Sequence, residues 1–589
     1  MSSAVRLLPA FALLMVAATA RAASPPAVEA AHAMVVTAQH LASQVGVEIL
    51  RAGGNAVDAA VAVGYAEAVV NPCCGNIGGG GFMVAHLAAN GGKPARDVFL
   101  DFRETAPAAA TAGMFLDARH KPVRDASLFG WRAVGVPGSV AGLDAALTEW
   151  GTMTRAQVMA PAIRLARDGF VLGQPDADTL HGRTDRFAAD PEVARIFLHP
   201  DHSPYQSGEW LVQSDLADTL AAIAAAGPEA FYRGRLPQAV ARTSVAAGGL
   251  LTTDDFASYR VGQAAPLSCA YRGYTVLSAP PPSSGGVTLC EILDILSGFD
   301  LHGMGWHGSA AVHVMAEAMR HAFLDRNTYL GDPAFVTNPL ARLLSPDYAA
   351  KIRAVIGPRA TPSAMLRPGV EPHERTQTTS YAVLDPAGNA VSVTYTLNNS
   401  FGAVVMAPGT GVLMNDEMDD FTIAPDTPNL FGLVQGAANA IAPGKRPLSS
   451  MAPSILMRDG HVAMVVGSPG GSRIITIVLE VILNLVDYGM APQEAVDAPR
   501  VHQQWLPDTV YMEPRALSPD TQAALHAMGY SLTEQAPWGA AELIVAGPDK
   551  AAAAAASPGN DAAPSEAMRP GRLYGASDPR RPAGSASGY

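Results

Sequence analysis

The sequence has 589 residues, more than one ordinary domain of roughly 100–200 residues. Hydrophobic residues make up 49% and charged residues 16%, so the chain can build a large core and shows no sign of global disorder. The net charge of −13 argues against nucleic acid and against an anionic membrane as partners.

The first segment in chain order, residues 1–22, has the features of a secretory signal peptide. Arg6 precedes an apolar run, residues 7–20, and the small residues Ala20 and Ala22 form a cleavage site. The alternative is an uncleaved anchor, but the run is too short to span a membrane, and no other segment reaches about 18 uninterrupted apolar residues. We therefore expect an exported chain without a membrane span.

The next segments predict helices and strands in alternation. Residues 40–70 have helical patterns, with Asn55 as a plausible N-cap. The glycines 78–81 lead into a short apolar strand, and residues 98–107 read as a strand ending in a charged tip. Residues 309–333 predict a long amphipathic helix that stops at Gly-Asp-Pro.

The four cysteines do not predict a disulfide scaffold in a chain of this length. Cys73 and Cys74 are adjacent and lack metal-site spacing, so ordinary buried thiols are the favoured interpretation. A bridge between Cys269 and Cys290 is an open alternative in an oxidising compartment.

Residues 356–377 are polar, rich in proline and arginine, and without periodicity, which is typical of a linker. Two β-rich runs around a Pro-Ala-Gly turn, residues 381–385 and 389–397, follow it and predict a hairpin. Further along, the pattern predicts strands near 451–457 and 461–467 and an apolar helix over 473–488. Residues 550–570 are of low complexity and are interpreted as an insertion.

The sequence predicts no metal and no cofactor. His199 and His202 are separated by a proline loop, and common zinc motifs are absent. The acidic cluster 415–420 lacks the alternating spacing and the glycine of a calcium loop.

Gly470 and Gly471 lie between a predicted strand and a predicted helix. They are compatible with a structural turn, a phosphate-binding loop or an oxyanion hole. Arg473 is out of pattern for the lysine of the usual phosphate loop, so the first and third interpretations stay open.

Thr378 and Thr379 stand where the linker meets the hairpin. Two threonines at a strand start are usually just strand formers. A cut before Thr378, however, would place a hydroxyl beside a free α-amine, whose ordinary pKa is roughly 7.7–8.0. Threonine with its own amine as base is a known activated nucleophile.

Stretches over most of the chain resemble γ-glutamyltranspeptidase, also called glutathione hydrolase, of the N-terminal-nucleophile hydrolases. Singly they are weak, but their order and spacing are specific. They include GNIGGGGFM (75–83), LDFRETAP (100–107), PPSSGG (281–286), AEAMRHAFLDRNTYLGDP (316–333), QTTSYAVLD (377–385), MNDEMDDF (414–421), KRPLSSM (445–451), GSPGGSRII (467–475) and LYGASDPR (573–580).

The resemblance implies an α+β fold, a four-layer αββα sandwich. It implies a precursor that cuts itself between Gln377 and Thr378 into a large subunit (23–377) and a small subunit (378–589), which stay associated as a heterodimer. The mature enzyme would act in the periplasm, or alternatively be secreted. It would cleave γ-glutamyl amides such as glutathione and pass the acyl group to water or to an amino acid or dipeptide.

The resemblance also implies residue roles, which transfer position by position. Thr378 would be the nucleophile, assisted by Thr396, and Gly470 and Gly471 would form the oxyanion hole. The substrate-binding residues would be Arg103, Ser449 and Ser450 for the α-carboxylate and Asn398, Glu417 and Asp420 for the α-ammonium.

The chain departs from its relatives at two notable positions. Ser380 stands where many carry histidine, which bears on the rate of maturation. Residues 424–433 resemble a lid loop in which Phe431 replaces a tyrosine, so the ring can cover the site but cannot donate a hydrogen bond.

Two alternative functions remain. One is a related acylase acting on glutaryl-cephalosporins or poly-γ-glutamate. The other, from a different class, is a non-catalytic periplasmic binding protein. The predicted contacts for an α-ammonium favour a γ-glutamyl donor, because a glutaryl group has no α-amine.

Overall fold

The structure is a computed structural model that describes residues 24–365, 378–424, 427–548 and 568–589. The predicted signal peptide, Gln377 and most of the low-complexity stretch therefore lie outside the described residues. Within the described ranges, no helix is both long and apolar enough to span a bilayer.

The strands of the described residues are mostly short, and most belong to two large sheets. They are β1 (Val28–Ala30), β2 (Met34–Thr37), β3 (Gly80–Leu87), β4 (Arg96–Asp101), β5 (Phe170–Val171), β6 (Trp210–Leu211), β7 (Gly262–Ala264), β8 (Leu267–Tyr271), β9 (Tyr274–Ser278), β10 (Thr378–Leu384), β11 (Ala390–Thr396), β12 (Ser454–Arg458), β13 (His461–Gly467), β14 (Val501–His502), β15 (Val510–Met512), β16 (Leu532–Glu534), β17 (Glu542–Ala546), β18 (Leu573–Ser577) and β19 (Ser585–Gly588).

The helices lie before, between and after these strands. They are α1 (His40–Arg51), α2 (Ala56–Val70), α3 (Ser139–Trp150), α4 (Arg155–Asp168), α5 (Gln174–His181), α6 (Thr184–Phe187), α7 (Pro191–Phe197), α8 (Ser214–Ala226), α9 (Glu229–Tyr232), α10 (Arg235–Ala246), α11 (Thr253–Ser258), α12 (Gly285–Leu296), α13 (Leu301–Met304), α14 (Ser309–Tyr329), α15 (Leu340–Leu343), α16 (Pro346–Val355), α17 (Ile474–Val486), α18 (Pro492–Asp497) and α19 (Pro519–Met528).

Two seven-stranded antiparallel sheets form the centre of the molecule. Sheet I has the order β1-β18-β17-β13-β12-β9-β8, and sheet II has the order β19-β2-β10-β11-β3-β4-β7. The sheets face each other where β10 and β11 contact β13 and β17. Helices α1, α2 and α3 cover the outer face of sheet II, and α12 and α17 cover that of sheet I. The predicted four-layer αββα sandwich is confirmed.

The hairpin β10–β11 has no solvent-facing side. Tyr381 and Val383 pack into the core under α2, whereas Ala382 and Leu384 pack into the core between the sheets. Successive side chains of a strand point to opposite faces, so both faces of β10 are buried. This explains why the sequence here is continuously apolar or small rather than alternating.

Both sheets mix strands from the two sides of Thr378. In sheet II, β10, β11 and β19 lie beside β2, β3, β4 and β7. In sheet I, β12, β13, β17 and β18 lie beside β1, β8 and β9. Neither segment can build either sheet without the other.

The predicted elements agree with the structure in kind, with shifted ends. Asn55 caps α2 through a capping box with Asp58, as expected. The helix predicted over 309–333 ends at Tyr329, and the apolar helix begins at Ile474. The predicted linker includes the described residues 356–365, which hold a short 3-10 turn at Ser363–Met365.

The cysteines form two bridges. Cys269 and Cys290 join β8 to α12 with a Cα separation of 5.9 Å, which settles the alternative left open by the sequence. The prediction of ordinary thiols at Cys73 and Cys74 is wrong, because their sulfurs are bonded to each other. A tight turn after α2, in which the Cys74 N–H donates to the carbonyl of Asn71 (3.0 Å), brings the two side chains together.

Candidate active site

Thr378 is the first residue of β10 and lies directly opposite Thr396, the last residue of β11. Both side chains are buried, and their Oγ1 atoms are 3.4 Å apart. The Thr396 Oγ1 also accepts a hydrogen bond of 2.8 Å from the backbone N–H of Asn398. The backbone therefore fixes the Thr396 hydroxyl, which in turn contacts the Thr378 hydroxyl.

Thr378 lines a small cavity together with residues that follow β4, β11 and β13 in the chain. The cavity is about 20 Å³, enough for about one water molecule. Nine of the ten predicted catalytic and substrate-binding residues line it. The tenth, Gly470, directly precedes the lining residue Gly471 in the chain. The polar residues and glycine that line the cavity are Arg103, Arg326, Thr378, Thr396, Asn398, Glu417, Asp420, Ser449, Ser450 and Gly471, and its apolar wall is Phe431, Leu433, Met451 and Ile474.

Arg103 crosses one end of the cavity and is fully buried. Its guanidinium pairs with the carboxylates of Glu417 and Asp420, and its Nε donates to the carbonyl of Pro447 at 3.2 Å. Glu104 lies 3.6 Å from the same guanidinium. One arginine and two acidic side chains thus line this end of the cavity, and a third acidic side chain, Glu104, lies against the arginine.

Burial shifts the protonation of these acids. It raises the pKa of Glu417 well above the ordinary value, against the opposing effect of Arg103. Burial likewise raises the pKa of Glu104 to about 7. Neighbouring negative charges add to both shifts. A cationic group entering the cavity would therefore stabilise the ionised form of these acids.

Asn398 reaches the cavity through an unusual backbone conformation. Its φ of 75° lies in the left-handed region, which asparagine tolerates better than most residues. Its Nδ2 donates to the carbonyl of Asp416 at 3.0 Å. This turn, just after the end of β11, ties Asn398 to the acidic segment that carries Glu417.

Ser449 and Ser450 are held by the turn that starts α12. The N–H of Ser449 donates to the carbonyl of Pro282 at 2.9 Å, and the Ser284 N–H donates to the Ser449 carbonyl at 2.8 Å. A side chain at Gly285 would lie 2.2 Å from the Met451 carbonyl, so this close approach requires glycine. The conformation of the serine pair therefore depends on the PPSSGG stretch.

Gly470 and Gly471 follow β13 and lead through a 3-10 turn into α17. Their φ values of 148° and 55° favour glycine. The first N–H groups of a helix have no partner within it and attract negative charge. Gly471 and Thr378 line the same cavity, so the arrangement is compatible with an oxyanion site as well as with a structural turn.

Phe431 packs directly over Gly471. A Cβ added to Gly471 would lie 2.2 Å from the Phe431 Cδ1. The carbonyl of Phe431 accepts from the Gln504 side chain at 3.2 Å, and the Gln504 Oε1 accepts from Ser472 at 2.6 Å. The Gln504 side chain thus links the backbone of Phe431 to the glycine turn against which the Phe431 ring packs.

The acidic cluster 415–420 is used by protein contacts. Asp416 accepts from the Asn399 N–H at 2.8 Å, and Asp419 accepts from the Ser127 hydroxyl at 2.6 Å. In the part of the chain that the structure describes, no group of His, Cys, Asp or Glu is arranged to hold a metal ion.

Arg326 also lines the cavity, although the sequence does not single it out. It lies on α14, is almost fully buried and donates to the Ser450 hydroxyl at 3.0 Å. The only signal was its place within the stretch 316–333, because helical periodicity does not distinguish a site arginine from a surface one.

The chain is similar to known proteins along nearly its whole length. A family model described as Gamma-glutamyltranspeptidase matches residues 42–587. A Glutathione hydrolase proenzyme of Pseudomonas sp. (strain A14) is 53% identical, with 96% of this chain and 96% of that protein covered. The Glutathione hydrolase proenzyme of Escherichia coli (strain K12) is 44% identical, with 98% of each covered. An Acylase ACY 1 proenzyme of Pseudomonas sp. (strain V22) is 40% identical, with 85% and 87% covered.

Solved structures agree with the layer arrangement. The cephalosporin acylase from Bacillus halodurans superposes with a TM-score of 0.80 at 28% identity, covering 97% of this chain and 98% of that chain. The gamma-glutamyltranspeptidase of Helicobacter pylori gives a TM-score of 0.54 at 44% identity, covering 56% of this chain and 93% of that chain. With the family model and full-length relatives in agreement, this chain belongs to the gamma-glutamyltranspeptidase family.

Proposed function

We propose that this protein is a self-processing γ-glutamyltransferase and glutathione hydrolase that works through a γ-glutamyl ester on Thr378. The observation that carries the proposal is the cavity itself. Thr378 lines it together with acidic side chains, arginine and serine donors and Gly471. A γ-glutamyl group carries a cation, an anion and a carbonyl, and each has a matching partner there.

Maturation begins with attack of the Thr378 Oγ1 on the carbonyl carbon of Gln377. The C–N bond breaks and an ester to Oγ1 forms, with the proton passing to the new amine. Water then hydrolyses the ester, leaving a carboxylate on Gln377 and a free α-amine on Thr378. The products are a large subunit (23–377) and a small subunit (378–589), held together by the shared sheets.

The freed α-amine then acts as the base for its own hydroxyl. It takes the Oγ1 proton as Oγ1 attacks the γ-amide carbon, and the N–H groups of Gly470 and Gly471 stabilise the oxyanion. The intermediate collapses to the ester, and the leaving amine takes the proton from the Thr378 ammonium. Water releases glutamate, or an amino acid or dipeptide receives the γ-glutamyl group.

The charges of the substrate assign the remaining roles. Arg103, Ser449 and Ser450 bind the α-carboxylate, while Asn398, Glu417 and Asp420 bind the α-ammonium. Because Arg103 already pairs with Glu417 and Asp420 in the closed cavity, the zwitterion would insert between them. The two ion pairs of Arg103 within the protein are thereby exchanged for ion pairs with the ligand.

We further propose that residues 1–22 are removed on export and that the enzyme acts in the periplasm. The match to the Helicobacter pylori chain covers 93% of that chain but only 56% of this one. The length of that chain is therefore near that of a large subunit, which supports a two-chain enzyme. No role is assigned to the insertion at 550–570.

The first test is cleavage of the precursor on a denaturing gel. Scaled from 61.0 kDa for 589 residues, fragments of about 37 and 22 kDa are expected. Thr378→Ala should leave a single uncut band and no release of p-nitroaniline from γ-glutamyl-p-nitroanilide, while Thr379→Ala is the neighbouring control. A cleaved Thr378→Ala protein would remove Thr378 from the mechanism.

The second candidate function is that of an acylase for glutaryl amides. It is favoured by the identity to Acylase ACY 1 proenzyme. A glutaryl group has no α-ammonium, so it would leave Asn398, Glu417 and Asp420 without a partner. Turnover of glutaryl-p-nitroanilide by the mature enzyme with none of γ-glutamyl-p-nitroanilide would establish this alternative and exclude the first.

A further inference from the structure

Arg326 is a buried cation whose hydrogen-bonding partners are all neutral. Its Nε donates to the Ser284 Oγ at 2.9 Å, its Nη1 to the Asn327 and Gln435 side chains at 2.9 Å, and its Nη2 to the Ser450 Oγ at 3.0 Å. Among the described residues, no ion pair joins it to a carboxylate. An uncompensated buried charge is costly, so an anionic ligand at this position would stabilise the site.

The guanidinium also fixes the direction of a neighbouring hydroxyl. Arginine has only donors, so the Ser450 Oγ must accept from Arg326 and its own proton is left for another acceptor. Ser449 is oriented in the same way, because its Oγ accepts from the Met451 N–H at 3.1 Å. Both hydroxyls line the cavity as hydrogen-bond donors, the arrangement that a carboxylate needs.

The other guanidinium of the cavity is already committed. Arg103 pairs with two carboxylates, so its charge is neutralised before a ligand enters. Burial lowers the pKa of Arg326 to about 9; the negative charge of Asp420 opposes this shift and the positive charge of Arg103 adds to it.

We infer that Arg326 is a positioning residue that sets specificity for the α-carboxylate of the donor substrate. It does so by directing the Ser450 proton toward that carboxylate and by supplying the positive charge of a guanidinium whose hydrogen-bond partners are all neutral. The inference rests on the proposed function and deepens it, because it adds a residue outside the predicted site to those that recognise the anion.

The test uses three p-nitroanilides that differ in which charged groups the acyl part carries. The γ-glutamyl compound has both groups, the glutaryl compound has only the carboxylate, and the 4-aminobutanoyl compound has only the ammonium. In the mature enzyme, Arg326→Gln should lower kcat/KM at least tenfold for the first two, mainly through KM, and change the third less than twofold. If the third reacts too slowly, the Ki of 4-aminobutanoate gives the same comparison.

Two further variants keep the result interpretable. Arg320→Gln removes another buried arginine of α14 that pairs with Glu317 and Asp508, so it reports general damage and should affect all three compounds alike. Arg326→Lys, which retains a charge and a donor, should recover part of the affinity and serves as the test if Arg326→Gln does not fold or mature.

Coupling provides the final criterion. If Arg326 acts through Ser450, the loss in Arg326→Gln/Ser450→Ala should be smaller than the product of the two single losses. Equal losses on all three anilides, or independent effects of the two substitutions, would overturn the inference. Lack of γ-glutamyl turnover by the unaltered enzyme would instead refute the proposed function.

Discussion

At the scale of single residues, the hydroxyl of Thr396 lies 3.4 Å from that of Thr378. Thr396→Val keeps the shape of the side chain but loses the contact to Thr378 and the bond from the Asn398 N–H. We expect slower precursor cleavage and a kcat about tenfold lower, since a hydrogen bond of this kind contributes about 1 kcal/mol or slightly more. The measurements are the time course of cleavage and steady-state kinetics.

Thr396→Ser is the matched control because it retains the oxygen and loses only a methyl group. It should mature and turn over close to the unaltered rate. If Thr396→Val and Thr396→Ser behave alike, the methyl group rather than the hydroxyl matters at this position.

Glu67 is a second residue with a testable consequence, on the α2 side of β10. Its Oε2 accepts from Asn71 at 2.7 Å and from the Thr379 hydroxyl at 3.5 Å. Burial raises its pKa from 4.5 to about 7. The folded protein therefore holds a proton that the unfolded chain has lost, and this stabilisation declines as the pH rises from about 4.5 to about 7.

Glu67→Gln is neutral at every pH and should remove this part of the pH dependence. The fall in Tm between pH 5 and pH 8 should be smaller in the variant, with a full effect of roughly 3 kcal/mol. Glu48→Gln, at an exposed position on α1, controls for the substitution itself. An unchanged fall in Tm in Glu67→Gln would show that Glu67 does not carry the proton.

At the scale of elements, the glycine turn before α17 and the segment of Phe431 form one unit. Gly471→Ala would place a Cβ 2.2 Å from the Phe431 ring and would strain a backbone with φ of 55°. We expect kcat to fall roughly 100-fold, comparable to the loss of one oxyanion donor. Kinetics with γ-glutamyl-p-nitroanilide measure the loss.

The double variant Gly471→Ala/Phe431→Ala separates the two causes. Removing the ring relieves the clash but not the backbone strain, so it should restore part of the activity relative to Gly471→Ala. Activity of Gly471→Ala equal to that of the unaltered enzyme would contradict the described packing.

The sequence predicted elements well where local chemistry decides them. The β10–β11 hairpin was visible because two β-rich runs flank a Pro-Ala-Gly turn, and the capping box at Asn55 is a local signal too. The bond between Cys73 and Cys74 could not be predicted from the sequence, because it depends on a turn that adjacent residues alone do not reveal.

The site was predictable for a different reason. Arg103 and Gly471 are more than 360 positions apart in the sequence, so only the resemblance to a family placed them together. Arg326 could not be predicted as a site residue, because its burial and its neutral partners result from how α14 packs against the loop of Ser450. Contacts of that kind arise from tertiary structure and leave no periodic pattern.

At the scale of the whole molecule, the interleaved strands make the two proposed subunits interdependent. Strand β2 pairs with both β10 and β19, and β11 pairs with β3. We expect the fragments of the cleaved protein to co-elute in size-exclusion chromatography under native conditions and to separate only in denaturant.

Expression of residues 378–589 alone should give an insoluble or unfolded chain, because its strands would leave unpaired edges and an exposed apolar core. Co-expression with residues 23–377 serves as the control. A soluble, folded small fragment by itself would contradict the role assigned to the mixed sheets.

The small volume of the cavity has a kinetic consequence. A γ-glutamyl group is far larger than one water molecule, so it cannot enter while Phe431 rests on Gly471 and Arg103 stays bound to its two acids. We therefore expect opening of the cavity, rather than encounter in solution, to limit binding, and the apparent Kd to rise as the open fraction falls. A tightly fitting inhibitor should accordingly show slow onset and a long residence time.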